Sequence, residues 1–347
     1  MLIRQTAPVL GAAEGPYDIP GQWHVNASVR ALRSDTHYRL DDRQVQREEL
    51  RTFVINRQFA TDLTVARSFT PRFGISVGVP FSAASWSIPS PTSPTPGTRA
   101  PERARGIGDI TGMGRVWLFP TATHARGNVA VGVGLKAPTG GYAEQDVFVD
   151  SEGNNPQLRY VDQSVQPGDG GWGVMLEAQG FRNVARTQIF ASGSYLANPR
   201  DTNGTPSISV SRLPPGRNPS ASAAGRLVNS VPDQYLVRAG MAVPLARTLV
   251  ATVAYRVEGQ RRYDLIGASH GFRRPGLEMF VEPGISIARA SHSASLSVPI
   301  GFYRNRKPDP YTGLQGDATF PGFIVLANYG IRLGKPRPAS ISANGCQ

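Results

Sequence analysis

The chain is short of the residues from which disulfide scaffolds, metal sites and helical membrane proteins are built. It has one cysteine in 347 residues, Cys346, next to the C-terminal Gln347, which excludes an internal disulfide and a cysteine-based metal site. Its five histidines (His24, His37, His124, His270, His292) are scattered, and no two have the i, i+4 spacing that sets two ligands on one helix face. No stretch reaches the roughly 18 consecutive apolar residues of a membrane helix, and no segment repeats its apolar residues at the helical period. Charged residues are 18% of the chain, below the roughly 25% of ordinary soluble domains. These shortages leave a β-protein, and a barrel strand crosses a bilayer in about ten residues of alternating polarity.

Glycine and proline are abundant, 38 and 29, without a collagen period, while 40% hydrophobic residues are too many for a disordered chain. Period-two alternation recurs. Trp23, Val25, Ala27, Val29 and Ala31 share one face, opposite His24, Asn26, Ser28 and Arg30; Val129, Val131, Val133 and Leu135 alternate with Ala130, Gly132, Gly134 and Lys136; Phe323, Val325, Ala327, Tyr329, Ile331 and Leu333 close the series. The alternation predicts twelve strands, near 22–33, 58–70, 73–88, 108–119, 127–138, 172–183, 187–197, 234–244, 248–263, 276–289, 293–304 and 321–333. Residues 46–59 either extend the second strand above the membrane or form a small hairpin.

Long and short links alternate between these strands. A soluble sandwich or propeller predicts neither that nor one apolar face in nearly every strand, and no blade-length repeat is present. The expected fold is an all-β transmembrane antiparallel barrel of the Gram-negative outer membrane, with short periplasmic turns and long extracellular loops. Residues 1–21 form a periplasmic N-terminal segment, 22–333 the barrel and 334–347 a C-terminal tail. Arg4 and the run Ala7–Ala13 resemble the end of a secretory signal, but the run is short and holds Pro8; either the true start codon lies upstream or the signal is absent.

Alternation also sorts the charges. Inward positions hold Arg30, Arg115, Lys136, Arg238, Arg256 and Arg332 with Asp62, Asp109, Glu177, Glu258, Glu278 and Glu282, a balanced set that forms paired networks or opposed rows selecting polar solutes. Inward Trp117, Phe181, Phe280 and Tyr303 offer stacking surfaces for an aromatic solute. With 37 basic against 25 acidic residues the net charge is +12, so the excess lies outside the lumen. The short links carry Arg72, Arg126, Arg186 and Arg247, with Arg289 at the edge of the last, and no acid. They face lipid phosphates, making outer-membrane lipid and lipopolysaccharide the expected partners. Nucleic-acid binding needs a continuous basic path with interleaved aromatics, and none is present.

Two loops carry candidate chemistry. Residues 139–171 hold Glu144, Asp146, Asp150, Glu152, Asp162 and Asp169 against Arg159 alone. They read as a solvated acidic loop, or as oxygen ligands for a hard cation without the spacing of an EF-hand. Gly267-Ala268-Ser269-His270-Gly271 matches the elbow that exposes a serine nucleophile, but a strand rather than a helix follows, and His270 adjoins the serine it would have to activate. A lipid hydrolase using Ser269 is the enzymatic alternative to an expectation of no catalytic residue, metal or cofactor.

Three segments carry a family resemblance. Ser76-Val77-Gly78-Val79-Pro80-Phe81, Gly106-Ile107-Gly108-Asp109-Ile110-Thr111 and Val133-Gly134-Leu135-Lys136-Ala137-Pro138-Thr139-Gly140 resemble the outer-membrane family described as the MetA-pathway of phenol degradation, with its Gly-x-Gly-Asp strand start and Lys-x-Pro-Thr-Gly strand end. The likeness is clearest over residues 73–140. It implies a barrel for passive uptake of small apolar or aromatic compounds. On physical grounds, the glycines open the backbone where a loop enters a strand, Asp109 bonds nearby amides, and Pro138 and Gly140 end a strand. Alternatively, Asp109 and Lys136 mark a constriction, and a structural or adhesive barrel with a charge-sealed lumen is the alternative to transport.

Overall fold

A computed structural model describes residues 17, 19–89, 99–149, 156–211, 225–310, 313 and 316–334. Twelve antiparallel strands follow one another round a closed barrel: β1 (Trp23–Arg39), β2 (Ile55–Ser68), β3 (Phe73–Pro89), β4 (in two pieces, Arg99–Ile107 and Thr111–Trp117), β5 (Gly127–Lys136) and β6 (Gly173–Val184). Then come β7 (Thr187–Ala197), β8 (Gln234–Ala246), β9 (Leu249–Gln260), β10 (Gly276–Arg289), β11 (in two pieces, His292–Ser297 and Ile300–Arg306) and β12 (Ala318–Leu333). The wall closes where β1 pairs with β12, from Trp23 opposite Leu333 to Tyr38 opposite Ala318. Closure leaves neither the first nor the last strand as a free edge, which a sheet in lipid requires.

The polarity of this barrel is the reverse of a soluble core. In β5 the inward Asn128, Ala130, Gly132, Gly134 and Lys136 are buried, while Val129, Val131, Val133 and Leu135 are exposed, Val133 by 62%. The same holds for exposed Ile75, Val77, Val79 and Phe81 of β3 and Ile285 and Ile287 of β10. A continuous apolar exterior around a polar interior is stable only where the solvent is hydrocarbon. At the short-turn rim Trp23, Phe69, Phe73 and Tyr329 are exposed, and the Arg67 guanidinium lies 4.9 Å above the Trp23 ring. Such aromatic side chains suit a lipid–water boundary.

Several strand boundaries differ from the sequence reading. β1 continues to Arg39 because Ser34, between two bulges, and Thr36, His37 and Tyr38, beyond them, keep pairing with β12. Residues 46–59 divide between a short helix, Val45–Glu49, and a β2 that starts at Ile55. The link expected over 89–107 holds strand from Arg99 to Ile107, paired with β3; residues 90–98 of the proline-rich piece lie outside the described residues. In β11, Pro299 lacks the N–H a ladder needs and splits the strand. The loop between β7 and β8 contains its own hairpin, Thr202–Pro206 with Val228–Ser230. Residues 1–16 and 335–347, including Cys346, lie outside the described residues.

Candidate functional site

The interior is built in three levels. At the short-turn end, Trp117 of β4 and Phe181 of β6 meet edge to face at 5.9 Å, in a cluster completed by Ala130, Phe190 and Ala254. Tyr17, which precedes β1, enters this cluster from below. Its ring lies 5.0 Å from Trp117 and 5.8 Å from Phe181, and its hydroxyl donates to the His124 carbonyl at 2.5 Å. Tyr17 thus stands inside the barrel mouth on the far side from β1.

The middle level is ionic. Arg115 of β4 and Glu177 of β6 pair at 2.7 Å over β5, where both oppose Gly132. A Cβ there would come within 2.8 Å of the Met113 sulfur, so glycine clears the path. On the opposite wall, Arg256 donates through Nε to Glu258 at 2.8 Å and lies 3.5 Å from Glu282, while Arg238 donates to Glu282 at 2.5 Å. The Ser297 hydroxyl adds a bond to Glu282 at 3.0 Å. Arg30 of β1 reaches this cluster through two bonds to Glu258, one of 3.2 Å. Glu278, 5% exposed, stands directly opposite Glu258 on the neighbouring strand. Arg256 and Glu258 are fully excluded from water, and burial of that depth is tolerated when each charge has a partner.

At the long-loop end, the two quoted motifs interlock. The Asp109 carboxylate accepts the N–H groups of Gly140 at 3.0 Å and Asp169 at 3.1 Å, and Thr139 both donates to the Gly108 carbonyl at 3.0 Å and accepts the Ile110 N–H at 2.9 Å. Lys136 pairs with Asp169 and lies 3.6 Å from Asp109. Gly108, Gly140 and Gly168 stack backbone on backbone: a Cβ on Gly140 would stand 2.7 Å from the Gly168 Cα and 2.8 Å from the Gly108 carbonyl carbon.

The stretch 161–171 therefore folds into the barrel, and the expectation of a solvated acidic loop over 139–171 is corrected. Asp162 is 1% exposed and Asp169 7%, because each carboxylate has a cationic partner and backbone donors that compensate its burial. Asp162 receives both arms of Arg274, at 2.6 and 2.8 Å. Burial pushes this carboxyl up, yet Arg274 and Ser164 outweigh it and hold it at about 2. Ser164 receives the Asn56 amide at 2.7 Å and gives its carbonyl to Gln58 at 3.0 Å, tying the loop to β2. Val161 and Val165 pack against Val54, Trp86 and Ala104. Nearby, His37 Nδ1 lies 3.2 Å from Asp317, which also pairs with Arg47. Burial raises the Asp317 carboxyl, but His37 and then Arg47 bring it below its ordinary value. No cluster of three or more metal-ligating side chains occurs among the described residues.

The remaining sequence candidates fall elsewhere. Arg332 donates to the Ala290 carbonyl at 3.0 Å, at the turn between β10 and β11. Phe280 packs with Ile324, Leu326 and Leu32, away from Trp117 and Phe181; Tyr303, expected inward, instead shares the outward face of its partner Met279 because a register shift precedes it, and its hydroxyl accepts the Asn305 amide at 2.9 Å. Ser269 is 3% exposed, at φ +62°, and its hydroxyl accepts the Asp264 N–H at 2.8 Å. His270 instead lies 3.3 Å from Asp201. Sequence reasoning missed Tyr17 and Arg274; for Arg274 the doublet Arg273-Arg274 before a strand was the available signal, since Arg273 also pairs with a loop acid, Asp264, at 2.7 Å.

A closed twelve-stranded barrel with an apolar belt, an aromatic rim and an ion-paired interior defines an outer-membrane β-barrel of Gram-negative type. No protein-family model and no curated protein matches the chain. Among solved structures it is similar to an outer membrane channel from Pseudomonas putida F1, with a TM-score of 0.61 and 10% identity over 94% of this chain and 100% of that one. The β domain of the Bordetella autotransporter BrkA gives a TM-score of 0.44 at 11% identity, covering 91% of this chain and 100% of that one. The Ralstonia pickettii toluene transporter TbuX gives 0.42 at 9% identity, covering 93% of each. Identities this low establish a shared fold alone, and the two lower scores carry no argument.

Proposed function

We propose that the barrel conducts small apolar or aromatic molecules across the outer membrane. The observation that carries this reading is the division of the interior. Arg30, Arg238 and Arg256 are bound to Glu258 and Glu282, whereas the apolar cluster of Trp117 with Phe181 lies at the short-turn end and that of Phe280 with Ile324 lies beside the ion pairs, Phe280 opposite Arg256 and Leu326 opposite Arg30. Paired charges offer little to a polar solute, while aromatic faces offer dispersion and edge-to-face contact. A lipopolysaccharide leaflet retards hydrophobic solutes, so such a conduit has a physical use. The resemblance to the MetA-pathway family and the fold shared with an outer membrane channel support this reading by analogy. In the same reading the basic short turns face phospholipid phosphates, and Ser269 has no catalytic part.

A second reading, a structural barrel sealed by its own side chains, is favoured by the inward loop with its Asp162–Arg274 tie and by Tyr17 in the mouth. Planar-bilayer conductance and uptake of a phenolic solute by cells expressing the barrel separate the two. Uptake above barrel-free cells supports the conduit; neither conductance nor uptake, with unchanged growth of a deletion strain on such compounds, establishes the sealed barrel.

A further inference from the structure

Arginine is unevenly distributed over the outer face of the wall. The lowest outward side chains of β1 and β2, Trp23 and Arg67, stand opposite each other; ten residues higher, Arg33 and Arg57 are again opposite each other and exposed. Ten residues of a strand tilted by about 40° rise roughly 25 Å, the height of the apolar band. The two arginines therefore mark its upper boundary. On β3 the same count leads from Phe73 to Ala83, whose partner on β4 is Arg105, and the next outward pair above it is Ser85 with Arg103. Both arginines of β4 are exposed. Ten residues above the lowest outward positions of β6 to β10 stand Val174, Ala197, Tyr235, Gly259 and Met279, none of them charged.

Register gives these arginines a shape. Ser85 stands between Arg57 on one side and Arg103 on the other, so their Cα atoms are two strand spacings apart, about 10 Å. Directly opposed residues of an antiparallel pair share a face, and the floor between the long side chains is formed by the short ones of Ala83 and Ser85. Arg99, higher on β4, donates to the Ser87 carbonyl at 3.2 Å, lies 4.7 Å from the Phe53 ring and is near enough to Arg33 and Arg57 to feel their charges. Among the described residues, only Arg33 of these five pairs with a carboxylate, that of Asp35 at 2.7 Å. Asp146 approaches the row but accepts the backbone N–H of Arg103, at 2.7 Å. Just below, Phe59, opposite Ala83, and Phe81, opposite Ile107, are exposed on the same face, as is Ile107 itself. Like charges gathered at the edge of a low-dielectric layer repel one another, and an anion set among them relieves the repulsion.

We propose that this face of β1 to β4 is a docking site for one lipopolysaccharide molecule of the external leaflet. A phosphate of its sugar head is held above Ser85 between Arg57 and the pair Arg103 and Arg105, with Arg33 and Arg99 at the margin, and its acyl chains lie on Phe59, Phe81 and Ile107. The planar fork of arginine takes two phosphate oxygens at once, and a phosphate over the short floor is within reach of guanidinium groups from both flanking strands. At this height the external leaflet supplies the phosphates of its glycolipid, whereas phospholipids lie in the inner leaflet, beside the short turns. The site is on the outside of the wall and is independent of what the lumen conducts.

Native mass spectrometry of the folded barrel in a non-ionic detergent, titrated with bisphosphorylated lipid A, tests the site. One molecule should bind ahead of any others. Arg57→Gln with Arg103→Gln should weaken that binding by about tenfold or more, the loss of at least one charge-assisted hydrogen bond. Arg186→Gln with Arg247→Gln, which removes the same charge from the opposite rim, should leave it unchanged. Dephosphorylated lipid A should bind the wild type about tenfold more weakly or worse, and phosphatidylglycerol should not displace the phosphorylated form at equal concentration. A heat-dependent gel shift confirms that each variant is a folded barrel. No binding by the wild type, or equal weakening in the two double variants, overturns the site. Equal affinity for dephosphorylated lipid A or for phosphatidylglycerol overturns its assignment to the lipopolysaccharide phosphate.

Discussion

Arg30 and Glu258 close a buried ion pair across the barrel interior, with β10, β11 and β12 lying between their strands along the wall. Glu258 also holds Arg256. Glu258→Gln therefore leaves buried Arg30 on a neutral amide and Arg256 with only its longer contact to Glu282, and should destabilise the barrel by about 3 kcal/mol or more. Urea unfolding in detergent, followed by the heat-dependent gel shift, measures it. Arg30→Met with Glu258→Leu should recover part of the loss, since Arg256 keeps Glu282.

Gly140→Ala should loosen the inward loop. The added methyl meets backbone of Gly108 and Gly168, which cannot rotate away, and overpacking of this kind costs about 1–3 kcal/mol. Faster proteolytic cleavage within residues 137–172 of the intact barrel, compared with wild type, is the expected readout.

Acid should release the same loop at its other anchor. Asp162 sits at about 2, below its ordinary 3.8, so the tie to Arg274 contributes in full at neutral pH and is lost as pH falls from about 4 toward 2. Loop cleavage by an acid-active protease should be flat from neutral pH to about 5 and rise below 4. Arg274→Gln should show the raised cleavage already at neutral pH.

Tyr17→Ala should widen the short-turn end. It removes two edge-to-face contacts, each worth about 0.5–1.5 kcal/mol, together with the bond to the His124 carbonyl. Higher single-channel conductance than wild type is expected, with an unfolding midpoint lowered by no more than the loss of these contacts accounts for.

Ser269→Ala should leave uptake unchanged and cost about 1 kcal/mol at most, the worth of the bond from the Asp264 N–H. A serine-reactive fluorophosphonate should not label the wild type. Stoichiometric labelling at Ser269 would sink this prediction and favour the hydrolase.

The sequence by itself determined the barrel, its strand count and the faces of its regular strands, because period-two alternation is local: Val131 and Gly132 declare opposite faces without reference to any partner, whereas the bulge that turns Tyr303 to the face of Met279 is set by pairing. The loop-length alternation, again readable along the chain, fixed which rim carries the tight turns. What the tertiary structure decided is who meets whom. Arg30 finds Glu258, and Asp162 finds Arg274, through strand order, tilt and loop path, all of which are non-local. Acidic residues in a loop look solvated until the cationic partner that compensates their burial is in view, so the inward fold of residues 161–171 was hidden. Tyr17 was hidden too, since a lone aromatic before the first strand has no period to place it. The split of β11 at Pro299 shows the division most clearly: the missing N–H is written in the residue, but that β12 carries Pro321 opposite the same stretch, with Arg304 bonded to its carbonyl, depends on the register of two strands that only the closed barrel sets.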